Sequence, residues 1–174
     1  MLYNHSRILM INKILKINAL ILFLSFFAAA EPEQGKDYEL IPSDLIEGQS
    51  VTEIFGYWCN ACFSFETTVN LLKEQRPNVN VVQIPAGNEV YARLFYTIKA
   101  LNLGKEAHLN VYKDIQLLRK NLSSKTDVEE FAKRHNYNQA QFMNVYNSFG
   151  IGIKAKNALR KVRELGNAGV LEGV

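Results

Sequence analysis

Apolar positions recur with two different periods, and the change between them divides the chain. Val51-Thr52-Glu53-Ile54-Phe55-Gly56 is β-branched and aromatic and reads as a strand. A weaker strand is expected over Lys36–Leu40, before the turn at Pro42. After Cys59 the period lengthens. Cys62, Phe65, Val69 and Leu72 fall three and four apart, on one face of a helix that Pro77 ends. Val79–Ile84 reads as the next strand, closed by Pro85 and Gly87. Strand, helix and strand in succession form a βαβ unit, normally parallel and right-handed.

The helical period then takes over. Val90, Leu94, Ile98 and Leu101 mark one amphipathic helix, ended near Gly104. Ala107, Val111, Ile115 and Leu118 mark a second. Ser124-Lys125-Thr126-Asp127 has the spacing of a capping box, opening a third with Val128 and Phe131 on its apolar face. Phe142, Val145, Tyr146 and Phe149 mark a fourth, interrupted by Gly150 and Gly152. A fifth runs through Ile153, Leu159, Val162 and Leu165 to Gly166. Gly169-Val170-Leu171-Glu172-Gly173-Val174 looks like the lead-in to another strand. A sheet of two strands leaves open edges, so further strands are expected after it.

The first thirty residues follow neither pattern. Arg7, Lys13 and Lys16 precede the apolar block Ala19–Phe27, and Ala28-Ala29-Ala30 supplies small residues at a cleavage point. That order is a secretory signal peptide; Met10-Ile11-Asn12-Lys13 would give it a more compact start. The other reading, an uncleaved membrane anchor, meets an apolar block shorter than the roughly 20 residues a bilayer crossing needs. The leader also explains the charge. The whole chain has 20 basic and 17 acidic residues, and the three basic residues of the leader are the entire excess. From Glu31 onward the charges balance. No basic stripe with interleaved aromatics is present, so no nucleic-acid partner is expected.

Both cysteines, Cys59 and Cys62, lie beyond the leader. Two cysteines cannot build a disulfide-stapled scaffold. A structural zinc site needs about four ligands, and His5, His108 and His135 are scattered, so no metal is expected. The setting is what matters: Cys59-Asn60-Ala61-Cys62 follows a strand and opens a helix within a βαβ unit. A cysteine at a helix N-terminus meets free backbone N–H groups and the positive end of the helix, which favour the thiolate that exchange chemistry needs. Cys59 is then the exposed nucleophile and Cys62, facing the core, the resolving thiol. No cofactor is required, since the two sulfurs carry both electrons. An inert structural bridge is the alternative.

Glu53 sits in the strand six residues before Cys59. Two readings are open on residues alone. Buried among apolar neighbours, its pKa would be raised and it could relay the proton leaving Cys62. On an edge strand, it would simply face solvent. Trp58 immediately precedes the nucleophile and is the candidate for an exposed substrate contact, with Asn60 and Ala61 beside it. Tyr57 is a candidate for either role, and Phe63 is expected to pack in the core.

The stretch Glu53-Ile54-Phe55-Gly56-Tyr57-Trp58-Cys59-Asn60-Ala61-Cys62-Phe63-Ser64-Phe65-Glu66 resembles the active-site region of bacterial periplasmic thiol:disulfide interchange proteins of the DsbA type. Gly35-Lys36-Asp37-Tyr38, Tyr146-Asn147-Ser148-Phe149 and Gly169–Val174 extend the resemblance over most of the mature chain. It implies an α/β fold, a thioredoxin-like domain interrupted by an all-helical insertion. The expected division is a signal peptide over 1–30, a thioredoxin-like part over 31–87, the helical insertion over 88–152, and a linking helix with the lead-in to the second half of the domain over 153–174. The resemblance also implies that Cys59 and Cys62 form a redox-active disulfide and that Glu53 is the buried acid assisting proton transfer. Glu66 matches an acid of the active-site helix, and Gln83 falls near a lysine often found opposite the buried acid. The implied activity is disulfide formation in exported proteins in the periplasm, with reoxidation by a quinone-linked membrane protein. The membrane would be met only through the leader or that transient partner.

Two departures qualify this. Relatives commonly carry proline and histidine between the cysteines, where this chain has Asn60 and Ala61. A weaker oxidant is expected, since Ala61 cannot stabilise the Cys59 thiolate as the histidine does. The family's cis-proline would follow Val174, and the strands and terminal helix expected after it are missing from this sequence. A truncated or interrupted gene product, or a partial sequence, is therefore expected in preference to a working short form, and activity of this exact chain does not follow from the family's. A reductase or isomerase of the same fold, and a secreted binding protein with one structural bridge, are the competing functions.

Overall fold

Gly35 sets the first local feature of the computed structural model, which describes residues 31–38, 40 and 50–171. The leader expected over 1–30 and the last part of the strand lead-in, 172–174, lie outside the described residues. The chain divides into two units, one ending at Leu40 and one beginning at Ile41. In the first, Gly35 takes a φ of 84° that only glycine adopts freely, and the chain turns there. Its N–H donates to the Tyr38 carbonyl at 2.9 Å, and the Asp37 carboxylate accepts the Glu33 N–H at 2.9 Å. The strand expected over Lys36–Leu40 is therefore not formed where it should begin: Lys36 and Asp37 belong to a turn, with Gln34 bridged to Tyr38.

In the second unit, β1 (Ser50–Phe55) and β2 (Asn80–Pro85) pair in parallel, in register from Ser50 with Asn80 to Phe55 with Pro85. Helix α1 (Asn60–Gln75) connects them, completing the βαβ unit. Its buried residues are Glu66 and Val69, whereas Phe65 is 51% exposed. The apolar face expected through Phe65 is thus rotated toward a carboxylate, for a reason that the polar contacts of Glu66 supply below.

The helices follow as α2 (Glu89–Ala100), α3 (Gly104–Tyr112), α4 (Lys125–Arg134), α5 (Gln139–Tyr146) and α6 (Phe149–Asn167). Two expectations are corrected here. A π-helical turn, Lys113–Leu117, continues α3. It carries Asp114 and Gln116 inward and leaves Leu118, expected on the apolar face, 58% exposed. The break between the last two helices lies at Asn147-Ser148, not at the glycines. The Ser148 side chain accepts the Ile151 N–H and starts α6, whose first residue is Phe149. Gly150 and Gly152 lie within that helix. At Gly152 the Arg93 guanidinium lies where a side chain would stand.

One apolar cluster runs from the end of β1 through the helices. Phe55, Tyr57, Phe95, Val111, Tyr112, Phe131 and Phe142 are all buried in it. Burying a Phe of this kind stabilises the fold by about 1.5–3 kcal/mol. The active-site loop is therefore continuous with the helical core.

Candidate active site

Strand β1 ends into a tight turn, Gly56-Tyr57-Trp58-Cys59, closed by the Cys59 N–H donating to the Gly56 carbonyl at 2.9 Å. Cys59 is the N-cap of α1, with extended backbone (φ −82°, ψ 113°). Its Sγ accepts the Cys62 N–H at 3.1 Å, taking the place of the usual capping oxygen. No acidic residue stands in the first turn of α1 to oppose charge on that sulfur. Cys59 and Cys62 form a disulfide, with Cα atoms 5.2 Å apart. Both are half-buried, and Cys62 packs against the core cluster.

A polar network joins the loop that delivers Cys59, through Tyr57, to α1, β2 and α3. In the parallel register Glu53 sits opposite Gln83. Gln83 Nε2 donates to Glu53 Oε2 at 2.8 Å and to Glu66 Oε1 at 2.9 Å, and its own Oε1 accepts Lys73 Nζ at 2.6 Å. Glu66 Oε1 is also 2.8 Å from His108 Nε2, and His108 Nδ1 is 2.9 Å from the Tyr57 hydroxyl. These contacts are what turn Glu66 inward in place of Phe65. Burial raises the Glu53 pKa; the Gln83 hydrogen bond opposes this, and the nearby Glu66 adds to it. Glu53 is thus neither a freely solvated edge acid nor wholly buried. Burial likewise holds the Tyr57 phenol protonated, with Tyr112 and Glu66 adding to the effect.

His108 is the residue that sequence reasoning missed. It comes from α3, 42 positions beyond Glu66. A lone histidine between Ala107 and Val111 carries no local signal for this role. Gln83, aligned only loosely by resemblance, is placed by the strand register between the two acids.

On the outer side, Trp58, Asn60 and Ala61 are exposed. The Trp58 indole stacks near Tyr91, with centroids 6.0 Å apart, and lies over Gly56 and Gly87. A Cβ at Gly56 would stand 2.7 Å from the indole. Tyr57 is fully buried and Phe63 stacks on Tyr112, so both serve the core.

A disulfide capping the helix of a parallel βαβ unit, with helices following, defines a thioredoxin-like dithiol–disulfide oxidoreductase. No family model matches the chain. It is 32% identical over 156 residues to the thiol:disulfide interchange protein DsbA of Pseudomonas syringae pv. tomato, covering 84% of this chain and 71% of that protein. It is 28% identical over 149 residues to DsbA of Pseudomonas aeruginosa, covering 80% and 69%. The crystal structure of the latter superposes with a TM-score of 0.62 at 26% identity, over 74% of this chain and 69% of that one. The oxidoreductase NmDsbA1 from Neisseria meningitidis shares the fold, with a TM-score of 0.68 at 16% identity over 83% and 80%. The chain belongs to the DsbA family of thiol:disulfide interchange proteins.

Proposed function

We propose that this chain oxidises thiols of exported proteins in the bacterial periplasm through Cys59, with Cys62 as the leaving thiol and Glu53 as its proton donor. A substrate thiolate attacks Cys59 Sγ, the Cys59–Cys62 bond breaks, and Cys62 leaves and takes a proton. A second substrate thiolate then attacks the substrate sulfur of the mixed disulfide, and Cys59 leaves as a thiolate. The substrate loses two electrons and the protein gains them. The observation that supports this reading best is the Cys59 sulfur at the N-cap, accepting the Cys62 N–H. That donor and the helix N-terminus stabilise the thiolate that must leave in the second step.

The raised pKa of Glu53 supports its role, because a carboxyl that holds its proton longer can supply one to Cys62. Exposed Trp58, Asn60 and Ala61 are the substrate-contact surface. Export rests on the leader over 1–30. Regeneration requires an oxidant in the membrane, for which the family's quinone-linked partner is the expected source. The helices over 88–152 form the insertion in the thioredoxin-like domain, and the rest of the last helix, from 153, links back to that domain. Cys62→Ser in the exported chain should accumulate proteins covalently held on Cys59, released by reductant and seen on non-reducing gels. If none attaches and residue 59 is alkylated with the pH profile of an ordinary thiol, the reading is wrong.

A further inference from the structure

The π-helical turn at Lys113–Leu117 does something unusual with its side chains. It leaves Leu117 and Leu118 in solvent, 64% and 58% exposed, while Asp114 and Gln116 are buried. Ile115 still packs against the core cluster, but Leu118, expected on the same apolar face, does not. Turns of this kind are frequent at functional sites. Here the turn is held from behind: Asp114 Oδ2 accepts Arg134 Nη2 at 2.6 Å and Nε at 3.1 Å, and Asp114 Oδ1 is 3.1 Å from His135 Nε2.

Gln116 then reaches the active-site loop. Its Nε2 donates to the Tyr57 carbonyl at 2.9 Å and to the Cys59 carbonyl at 3.1 Å. Both amide hydrogens are thereby used. The two carbonyls flank Trp58 in the turn that delivers Cys59. The Cys59 carbonyl is also the first acceptor of α1, taking the Phe63 N–H at 3.1 Å.

We infer that Gln116 is a positioning residue for the redox reaction: its side-chain amide pins the turn that carries Cys59 and so sets how readily that sulfur leaves as a thiolate. Two physical routes act in the same direction. The clamp fixes the backbone on which alignment of Cys59 Sγ with the Cys62 N–H depends. It also polarises the first peptide group of α1, and hydrogen-bonded peptides strengthen one another's dipoles. The inference rests on the oxidoreductase reading above and adds that the helical region tunes the disulfide directly.

The test compares the full chain with Gln116→Met, which keeps the approximate side-chain shape and removes the donor. Equilibration with glutathione should show the variant about tenfold less oxidising, about 30 mV. Alkylation of Cys59 should shift to higher pH. Val128→Ala, a truncation in the same helical core away from the turn, should lower the melting temperature and leave both readouts at parental values. In the native chain, the Gln116 side-chain amide resonances should move when the disulfide is reduced. Parental equilibrium and titration in Gln116→Met would overturn the clamp alone. Should that variant not fold, unmoved Gln116 resonances would do the same. An ordinary thiol titration of Cys59 in the parent would overturn the oxidoreductase reading and this inference together.

Discussion

Gln83 donates its two amide hydrogens to two carboxylates, Glu53 and Glu66, and so holds a pair of acids together. Glu66 has His108 on its other side, whereas Glu53 takes its hydrogen bond from the neutral amide of Gln83, and burial raises its pKa above the ordinary 4.5. The sign of the pH dependence follows. A carboxyl with a raised folded-state pKa favours the folded state in its protonated form. Its contribution is full below 4.5 and is lost as pH rises through the folded value. Glu53→Gln should therefore gain stability relative to the parent more at pH 7 than at pH 4, as measured by urea unfolding of the oxidised protein. The same substitution should slow thiol oxidation by about a hundredfold, the lower end of acid–base contributions. An unchanged rate would remove Glu53 from the proton path and leave it a structural acid. Residue type and strand position pointed to Glu53, and resemblance raised its role. The partner that gives its environment, Gln83, became definite only through the register of β2.

Helix α4 shows what local sequence can specify. Its N-terminus is a capping box, with Ser124 Oγ accepting the Asp127 N–H at 3.2 Å and Asp127 Oδ2 accepting the Ser124 N–H at 2.9 Å. Four consecutive residues contain the whole device, so it was legible before the fold was known. Ser124→Ala should cost about 1 kcal/mol in chemical unfolding. The π-helical turn shows the opposite case. Within it Asp114 meets Arg134 and His135 at the C-terminal end of α4, and a period-based reading has no access to that contact. Phe65 was misassigned for the same reason: the polar partners of Glu66 come from β2 and α3 and override the apolar period of α1. The α5–α6 boundary was misplaced because glycine weakens a helix without ending it, while Ser148 caps one.

At the scale of the molecule, the βαβ unit and the cysteines at its helix were legible in full, since each lies within a short stretch and carries its own signal. The contribution of the helices to the site was not. His108 and Gln116 reach it from 51 and 59 positions beyond Tyr57, through packing that no motif encodes. The chain spans 71% of the length of its Pseudomonas syringae relative. Its oxidising power should reflect Asn60 and Ala61, which offer Cys59 no imidazole. Measured against glutathione under the same conditions, this protein should be about tenfold less oxidising than a relative with histidine in place of Ala61, about 30 mV. Equality of the two would show that the residues between the cysteines are compensated from elsewhere in the site.

Trp58 is the sole tryptophan of the chain, and it adjoins the sulfur that changes oxidation state. Disulfides quench indole emission more strongly than thiols do. Opening the Cys59–Cys62 bond should therefore brighten the protein's intrinsic fluorescence, giving a label-free optical record of each turnover.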